Sequence, residues 1–576
     1  ALYGSDGVAG AVAFTTKDPS DFLKSSQDLG ARVRAAYSSA DEGWTESRAV
    51  AGRTESVSGL LAYTRRDHQE TENQGEVGGV GSARTQPNPQ DFTSNAILAK
   101  LVWDVAPGHS LRLTYDHLDS EMDGDALTAR SATVLAVTAH DETQRDSLKG
   151  EWRFQDFAGF ESGSVSAYWQ DATTRQYTYE DRSPAVDRVR DTTFDNTVYG
   201  LAAQGARVFG AGEAVEHRVT VGGDWSMTTQ EGVRDGVTPP VGEIFPTRAF
   251  PKTDYQLAGL FVQDEIEMLG GALSIIPAVR YDWYDLSPEV DALFPASATS
   301  QSEDHISPKL GVVWWADRRF GLFANYAEGF RAPSPMQVNN YFENPVYGYT
   351  SIPNPDLKPE TSDSIEGGLR FRDIAAFGGE LRLQTTAFST HYDNFIEQVV
   401  ASGTGVPGVD PLIYQYVNLT NVDIWGLEAR GDVAWSNGLS LIVSAAFADG
   451  EQETDGDKTQ LSSVDPIKLV GGLNYAAPSG VWGGSAVVTW SDRKDAATYE
   501  LSCGSACYTG DSFTLLDVTA YWNVTERATL RAGAFNLLDE KYGWWSDVRG
   551  LSAASSIKDA YTQPGRNFGL SLTLRL

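Results

Sequence analysis

The stretch NFGLSLTLRL, residues 567–576, alternates between apolar side chains and small or polar ones. Successive side chains of a β-strand point to opposite faces of the sheet, so this pattern predicts a strand with one apolar and one polar face. Residues 111–116 and 215–227 show the same alternation. The apolar positions of the quoted stretch are Phe568, Leu570, Leu572, Leu574 and Leu576.

About 22 such strands can be placed along the 576 residues, for example at 142–156, 161–171, 192–205 and 214–230. Many of them exceed ten residues, whereas strands of soluble proteins commonly have roughly 5–6. A soluble sandwich or propeller is therefore disfavoured. In lipid every backbone group must be paired within the protein, so a spanning sheet has to close on itself. The sequence predicts an all-β fold, a transmembrane antiparallel β-barrel with an even number of strands.

The connections between the predicted strands alternate in length. Short turns at 106–108, 269–271, 316–319, 436–438 and 525–527 alternate with long polar loops, among them 67–92, 120–141, 172–191 and 330–360. Outer-membrane barrels have short periplasmic turns at one rim and long extracellular loops at the other. A sandwich gives no reason for such regular alternation.

Charge and composition exclude several other classes of protein. The formal net charge is −33, so nucleic acid is not a predicted partner, because phosphate neutralisation needs clustered Lys and Arg. The same charge disfavours a basic membrane anchor. No stretch of 18 apolar residues predicts a transmembrane helix. No Gly-x-Ser-x-Gly motif is present, and the chain is not predicted to be an enzyme.

Only two cysteines occur, Cys503 and Cys507, in a segment bounded by polar turns. Such a pair is compatible with a disulfide, a metal site or a redox pair. No histidine cluster lies nearby in the sequence, so zinc is disfavoured and no metal site is predicted. A small disulfide in an exposed loop is the prediction, and it implies an oxidising compartment.

Two sequence boxes identify a family. Residues 330–333 read FRAP and residues 354–357 read NPDL, and together with LFVQDEIEM (260–268) and QPGRNFGLSL (563–572) they resemble TonB-dependent outer-membrane receptors. The opening ALYGSDGVAGAVAFTTKDPSDFL (1–23) is similar to the last part of that family's plug domain. The resemblance implies two regions, the end of the plug with its linker at 1–24 and the barrel at 25–576. The box residues are Phe330, Arg331, Ala332 and Pro333, then Asn354, Pro355, Asp356 and Leu357.

The family implies a location and partners. Its members are multi-pass barrels of the bacterial outer membrane, in contact with outer-membrane lipid and lipopolysaccharide. The TonB–ExbB–ExbD complex drives them through the plug. They carry no intrinsic cofactor and import a small-molecule ligand, such as haem or a ferric chelate, without covalent chemistry.

The paired boxes and YGWWSDVRGL (542–551) most resemble the haem/haemoglobin receptors, a subfamily that includes the haemoglobin, transferrin and lactoferrin receptors. In that subfamily a histidine between the boxes ligates haem iron, yet residues 331–360 contain no histidine. Tyrosine also ligates haem iron. The candidate ligand-binding residues are therefore Met336, Tyr341, Tyr347 and Tyr349, together with Arg331 and with Arg549, the candidate partner of a ligand carboxylate. His68 and His140 are the alternative iron ligands.

Two other functions stay open at this point. A receptor for a ferric siderophore or another small ligand would use the same barrel and loops. A passive pore or an adhesin would use the barrel as a conduit or platform, but neither needs the plug-like segment at the start of the chain. The sequence predicts an active-transport receptor that imports haem, or haem from haemoproteins, as an iron source.

Overall fold

In the computed structural model, the described residues are 7–8, 10, 12–24, 26–240, 243–294, 296–344, 348–407, 409–419, 421–454, 457–494 and 506–576. Among these residues, the regular secondary structure is almost entirely strand. The strands are β1 (Leu29–Ser38), β2 (Gly43–Arg53), β3 (Val57–Gln69), β4 (Gln90–Ala106), β5 (His109–Asp125), β6 (Val134–Phe157), β7 (Phe160–Arg182), β8 (Arg188–Phe209), β9 (Val215–Val237), β10 (Lys252–Met268), β11 (Leu273–Glu289), β12 (Gln301–Trp315), β13 (Phe320–Arg331), β14 (Phe342–Asn344), β15 (Tyr349–Ser351), β16 (Glu360–Ala376), β17 (Gly379–Asp393), β18 (Ile396–Ser402), β19 (Leu412–Asn418), β20 (Asn421–Ala434), β21 (Leu439–Thr454), β22 (Asp457–Gln460), β23 (Lys468–Ala476), β24 (Trp482–Ser491), β25 (Phe513–Thr525), β26 (Ala528–Phe535) and β27 (Asn567–Arg575).

Helical structure is limited to short segments in the described residues. The two α-helices are α1 (Pro335–Asn339) and α2 (Trp545–Val548), and three 3-10 helices cover Pro19–Asp21, Leu127–Ala129 and Lys558–Tyr561. No helix in the described ranges is long and apolar enough to cross a membrane.

Twenty-two of the strands form one closed antiparallel barrel, which confirms the predicted fold. Each wall strand pairs with the next wall strand along the chain, and β27 returns to pair with β1, where Leu572 lies opposite Ala35. The short strand β22 pairs antiparallel with the C-terminal end of β21. Because the wall closes on itself, it leaves no row of unpaired backbone groups at a sheet edge.

The two rims of the barrel differ as predicted. One rim, called the turn rim here, has connections such as 54–56, 107–108 and 377–378. The opposite rim, the loop rim, carries 70–89, 332–359, 394–420 and 536–566. The predicted loops at 120–141 and 172–191 were too long, because β5 to β8 continue beyond them and leave only 126–133 and 183–187.

An apolar belt surrounds the outside of the wall. Leu260 is 67% exposed and Ile365 is 61% exposed, on strands whose alternate residues face the interior. A spanning strand needs roughly 9–11 residues. Strands β6 to β9 have 22 to 24 residues, at least twice that number, so their parts toward the loop rim carry polar side chains on both faces.

A buried ion network crosses the inner face of β9 and β11. The Arg280 guanidinium is almost fully buried and donates two hydrogen bonds to Asp224, both at 2.9 Å, and one to Asp282 at 2.8 Å. Gly259 on β10 makes room for it, since a Cβ there would lie 1.9 Å from Arg280 Nη2. The wall is therefore tied across three strands by side chains as well as by the backbone.

The opening segment lies against the inner wall near the turn rim. Lys100 Nζ donates to Asp18 Oδ1 and to Thr16 Oγ1, both at 2.8 Å, and Arg112 Nη1 donates to Asp18 Oδ2 at 2.8 Å. Higher up, the Ser362 hydroxyl donates to the Val8 carbonyl at 3.1 Å. Residues 1–6 lie outside the described residues, and the division into a plug end at 1–24 and a barrel at 25–576 stays a prediction.

Candidate functional site

The FRAP box folds the entrance to the loop 332–359. Phe330 and Ala332 are buried in one cluster with Tyr284 of β11. Arg331 donates to the buried Glu360 at 2.6 Å, and the same carboxylate accepts the Ile396 N–H at 2.7 Å. One side chain therefore joins the two ends of loop 332–359 to the start of loop 394–420.

The NPDL box closes that loop. The Asn354 side-chain amide donates to the Tyr416 carbonyl at 2.7 Å, and its Oδ1 accepts the Asp356 N–H at 3.1 Å. Leu357 packs in a buried cluster with Leu286, Val338 and Ile396. In this structure both boxes hold the loops in place, and the proline at 355 limits the conformations that the loop loses on binding.

The two loops form one small sheet above the barrel, here called the cap sheet. Its strand order is β14, β15, β19, β18, and β15 runs parallel to β19, with Thr350 opposite Ile413. The Gln415 amide adds a hydrogen bond to the Pro353 carbonyl at 2.8 Å. No local pattern in the sequence of either loop reports a parallel pairing between distant segments.

Aromatic rings cluster on the cap sheet. The Phe342 ring lies 5.6 Å from that of Tyr349, which lies 6.3 Å from that of Tyr414, centroid to centroid. The Arg234 guanidinium lies 4.7 Å from the Phe342 centroid. The cluster offers ring faces beside a positive charge, which suits a flat anionic ligand. The sequence analysis missed Phe342, Tyr414 and Arg234. The aromatic alternation in LIYQYVN (412–418) is a signal that could have found Tyr414.

The predicted ligand residues are placed unevenly. Tyr349 belongs to the aromatic cluster, and its hydroxyl accepts a hydrogen bond from Asn344 at 3.4 Å. Tyr341 packs against Phe294, with 6.4 Å between the ring centroids. Burial and its hydrogen bond to Glu343 raise the pKa of Tyr341, so the free phenol is protonated at neutral pH. Met336 on α1 is 43% exposed. Tyr347 lies outside the described residues.

The predicted residues of the last loop lie away from the cap sheet in sequence. Arg549 ends α2 and is exposed. The neighbouring Trp545 is buried and its indole donates to the Ser462 carbonyl at 2.7 Å, which fits a packing role.

Cys507 takes part in a disulfide, whereas Cys503 lies outside the described residues, so the pairing of the two stays a prediction.

The two alternative histidines differ in availability. Both ring nitrogens of His140 are engaged, with Asp123 at 2.8 Å and Glu142 at 3.2 Å. His68 stacks on Phe92, and its Nδ1 lies 3.1 Å from the Gln69 carbonyl. An imidazole held in this way can use Nε2 for a metal. Within the described ranges, no group of three or more His, Cys, Asp or Glu side chains could hold a metal ion.

Comparison with known proteins agrees with this architecture. Residues 102–537 match the family described as TonB dependent receptor-like, beta-barrel. A hemin receptor of Yersinia enterocolitica is 26% identical over 516 residues, which cover 85% of this chain and 68% of that protein. The hemoglobin-haptoglobin utilization protein B of Neisseria meningitidis serogroup C is 22% identical, covering 99% of this chain and 81% of that one.

Two solved structures share the fold. The Serratia marcescens haemophore receptor HasR, in complex with its haemophore and haem, has a TM-score of 0.74 and 17% identity, covering 97% of this chain and 82% of its own. A ferric enterobactin receptor of Pseudomonas aeruginosa has a TM-score of 0.72 and 17% identity, covering 100% and 84%.

The closed barrel with long loops at one rim is an outer-membrane transport barrel. The chain belongs to the TonB-dependent receptor-like β-barrel family. Members of this family are transport receptors rather than enzymes.

The family membership fixes an expected orientation. The loop rim should face outward, because outer-membrane barrels place long loops outside and short turns in the periplasm. An epitope tag inserted at Gly403, in loop 394–420, should bind antibody on intact cells, whereas a tag at Asn437, between β20 and β21, should not. Antibody binding on permeabilised cells controls for expression of both. Labelling of the 437 tag on intact cells would reverse the orientation.

Proposed function

We propose that this receptor binds haem, free or from haemoproteins, at the loop rim and imports it as an iron source. The observation that carries the proposal is the aromatic cluster of the cap sheet with Arg234 over Phe342. A porphyrin presents a flat π-face to the rings and acidic groups to a guanidinium. The names of the relatives, a hemin receptor and a haemoglobin-haptoglobin utilization protein, support the same ligand class.

In this proposal tyrosine supplies the iron ligand. No histidine lies in residues 331–360, and Tyr341, Tyr347 or Tyr349 would offer a phenolate oxygen instead. The raised pKa of Tyr341 keeps the proton on the phenol until a ferric ion displaces it, since a bound cation favours the deprotonated form. Binding of ferric haem should therefore be stronger than binding of ferrous haem.

Transport would follow the family scheme. The TonB–ExbB–ExbD complex would act through a plug of which residues 1–24 are the end, and the ligand would then cross the lumen. The protein contributes binding and a path, and no covalent step is proposed.

A triple variant tests the ligand and its ligation together. Replacing Tyr341, Tyr347 and Tyr349 with Phe keeps the ring packing and removes each hydroxyl. We expect wild-type full-length receptor to give a saturable tyrosinate-type haem spectrum, and the triple variant to lose that spectrum while the barrel still assembles. Tyr561→Phe, on an exposed 3-10 helix, is the matched control and should leave the spectrum unchanged.

The outcomes separate the alternatives. Haem binding of unchanged strength and spectrum in the triple variant would move ligation to His68, because both nitrogens of His140 are already engaged. Absence of saturable haem binding by the wild-type protein would contradict the haem proposal. The second candidate, a ferric-siderophore receptor, is favoured by the missing histidine in residues 331–360, because a chelate that already fills the iron's coordination sphere needs no protein ligand.

A further inference from the structure

A hollow of about 850 Å³ opens in the inner wall where β1 to β3 meet β21 and β23 to β27, and its lining extends to Gly438 in a connection of the turn rim. Three arginines line it, Arg34 of β1, Arg66 of β3 and Arg531 of β26. Arg34 and Arg66 lie four and three residues from the loop-rim ends of β1 and β3, whereas Arg531 lies three residues from the turn-rim end of β26. A ligand that has passed the cap sheet on its way through the barrel would therefore meet these three guanidiniums before it reaches the turn rim.

Strand register places the three arginines on one face. Val33, beside Arg34 on β1, and Leu61, on β3 with Arg66, occupy positions of the opposite parity. Both point outward, and they are 38% and 53% exposed. Arg34 lies opposite Ser47 on β2, and Arg66 lies opposite Thr45 on the same strand. Adjacent strands are about 4.8 Å apart, and the two positions are offset by two residues along β2, so the backbones of Arg34 and Arg66 lie roughly 12 Å apart. On the other side, two strand spacings separate β1 from β26.

The charge of these arginines is not matched by the wall. In the part of the chain that the structure describes, none of the three guanidiniums forms an ion pair or a hydrogen bond. Asp41 is the one carboxylate among the described residues of the lining, and its Oδ1 already accepts the Gly43 N–H at 3.2 Å. In a chain of net charge −33, the hollow is a local positive field that attracts anions.

The described residues of the opening segment do not account for these arginines. Its Asp18 is held by Lys100 and Arg112, near the turn-rim ends of β4 and β5. In that contact the two wall cations form ion pairs with a carboxylate of the segment itself. The three arginines lie on other strands, β1, β3 and β26.

We propose that the hollow is a second, lumenal subsite that binds the acidic groups of the ligand after it leaves the cap sheet. The ligand class that fits is a molecule with at least two carboxylates, because guanidiniums bind carboxylates in paired hydrogen bonds and several of them are available here. The inference rests on the proposed function, since haem carries two propionates. It adds a recognition step for those groups within the lumen.

The test compares haem with its dimethyl ester, which lacks the two negative charges. Full-length receptor is titrated with each, and so is the triple variant Arg34→Gln, Arg66→Gln, Arg531→Gln. We expect the triple variant to bind haem about tenfold more weakly than the wild type, because it loses several exposed charge contacts. It should bind the dimethyl ester with the same affinity as the wild type. A triple Arg→Lys variant should recover part of the affinity. Arg48→Gln, on the outer face and paired with Glu46, is the matched control.

A second probe separates this proposal from the haem proposal. Inorganic pyrophosphate, measured by calorimetry, should bind the wild-type receptor and not the triple Gln variant, whatever the natural ligand is. If the wild type binds pyrophosphate but not haem, the haem proposal fails and the lumenal anion subsite stands. The subsite is overturned if the triple Gln variant binds haem and pyrophosphate as the wild type does. The subsite is also overturned by a second result, in which the wild type binds neither haem nor pyrophosphate and the triple Gln variant holds its plug less tightly. Thermal release of the plug from the barrel measures this. The arginines would then bind carboxylates of the plug.

Discussion

Replacing Arg280 with methionine should lower the free energy of unfolding of the barrel by about 3–5 kcal/mol, which is the usual loss when one partner of a buried ion pair is removed. Methionine fills much of the same space but leaves Asp282 buried without its donor, and Asp224 without two hydrogen bonds. The larger share should come from Asp282, whose side chain is 5% exposed, against 39% for Asp224. Denaturant unfolding in detergent, followed by tryptophan fluorescence, measures the change.

A surface ion pair provides the control for this prediction. Arg382 pairs with Asp432 at 3.0 Å, but its side chain is 61% exposed. Arg382→Met should therefore change stability by less than about 1 kcal/mol. The double variant Arg280→Met, Asp282→Asn should recover much of the loss, because the uncompensated charge is gone. A loss for Arg280→Met no larger than that for Arg382→Met would show that the network does not hold the wall.

Replacing Glu360 with alanine should loosen the cap sheet and leave the barrel intact. The carboxylate is 1% exposed and accepts from Arg331 and from the Ile396 N–H. Its loss leaves a buried donor unsatisfied at the start of β18, which costs about 2–3 kcal/mol. Hydrogen exchange in β18 and β19 should therefore accelerate by roughly 30- to 150-fold, while exchange in the wall strands stays the same.

Two variants sharpen that measurement. Glu397→Ala removes an exposed carboxylate one residue from Ile396 and should leave exchange in the cap sheet unchanged. Glu360→Gln keeps an oxygen that can accept the Ile396 N–H, and it should lie between the wild type and Glu360→Ala. Equal exchange in the Ala variant and the wild type would mean that Glu360 is not the tie between the two loops.

The wall of the barrel was predictable because lipid imposes a rule on each strand. A spanning strand must turn one face to hydrocarbon, so residues 567–576 show the alternation plainly, and β27 forms within them at Asn567–Arg575. The upper parts of β6 to β9 escape that rule, since both faces meet water. There Arg175 pairs with Asp191 at 2.7 Å in residues read as a loop. The Thr and Tyr content of residues 173–179 was the remaining signal for strand.

The candidate site was predictable only in part. The two boxes mark the loop because their residues fold it, as the buried Phe330 and Leu357 show. The parallel pairing of β15 with β19 joins segments that are far apart in the chain, and no spacing in either segment encodes it. Arg234 reaches Phe342 from the loop-rim end of β9, so the cluster exists only after two loops have folded against that wall strand.

The seam between β27 and β1 sets the order in which the wall can be completed. Ser39 and Phe568 meet there although they are 529 residues apart in sequence, whereas every other pair of neighbouring wall strands is joined by a much nearer connection. Local hairpins form early at low entropic cost, and the most distant contact is the slowest to find. The seam is also short: β27 pairs with β1 from Gly569 to Arg575, while β6 pairs with β7 from Val134 to Phe157. Closure of the seam is thus the last step of assembly, and until it forms, the two outermost strands remain open edges on which a second chain could add.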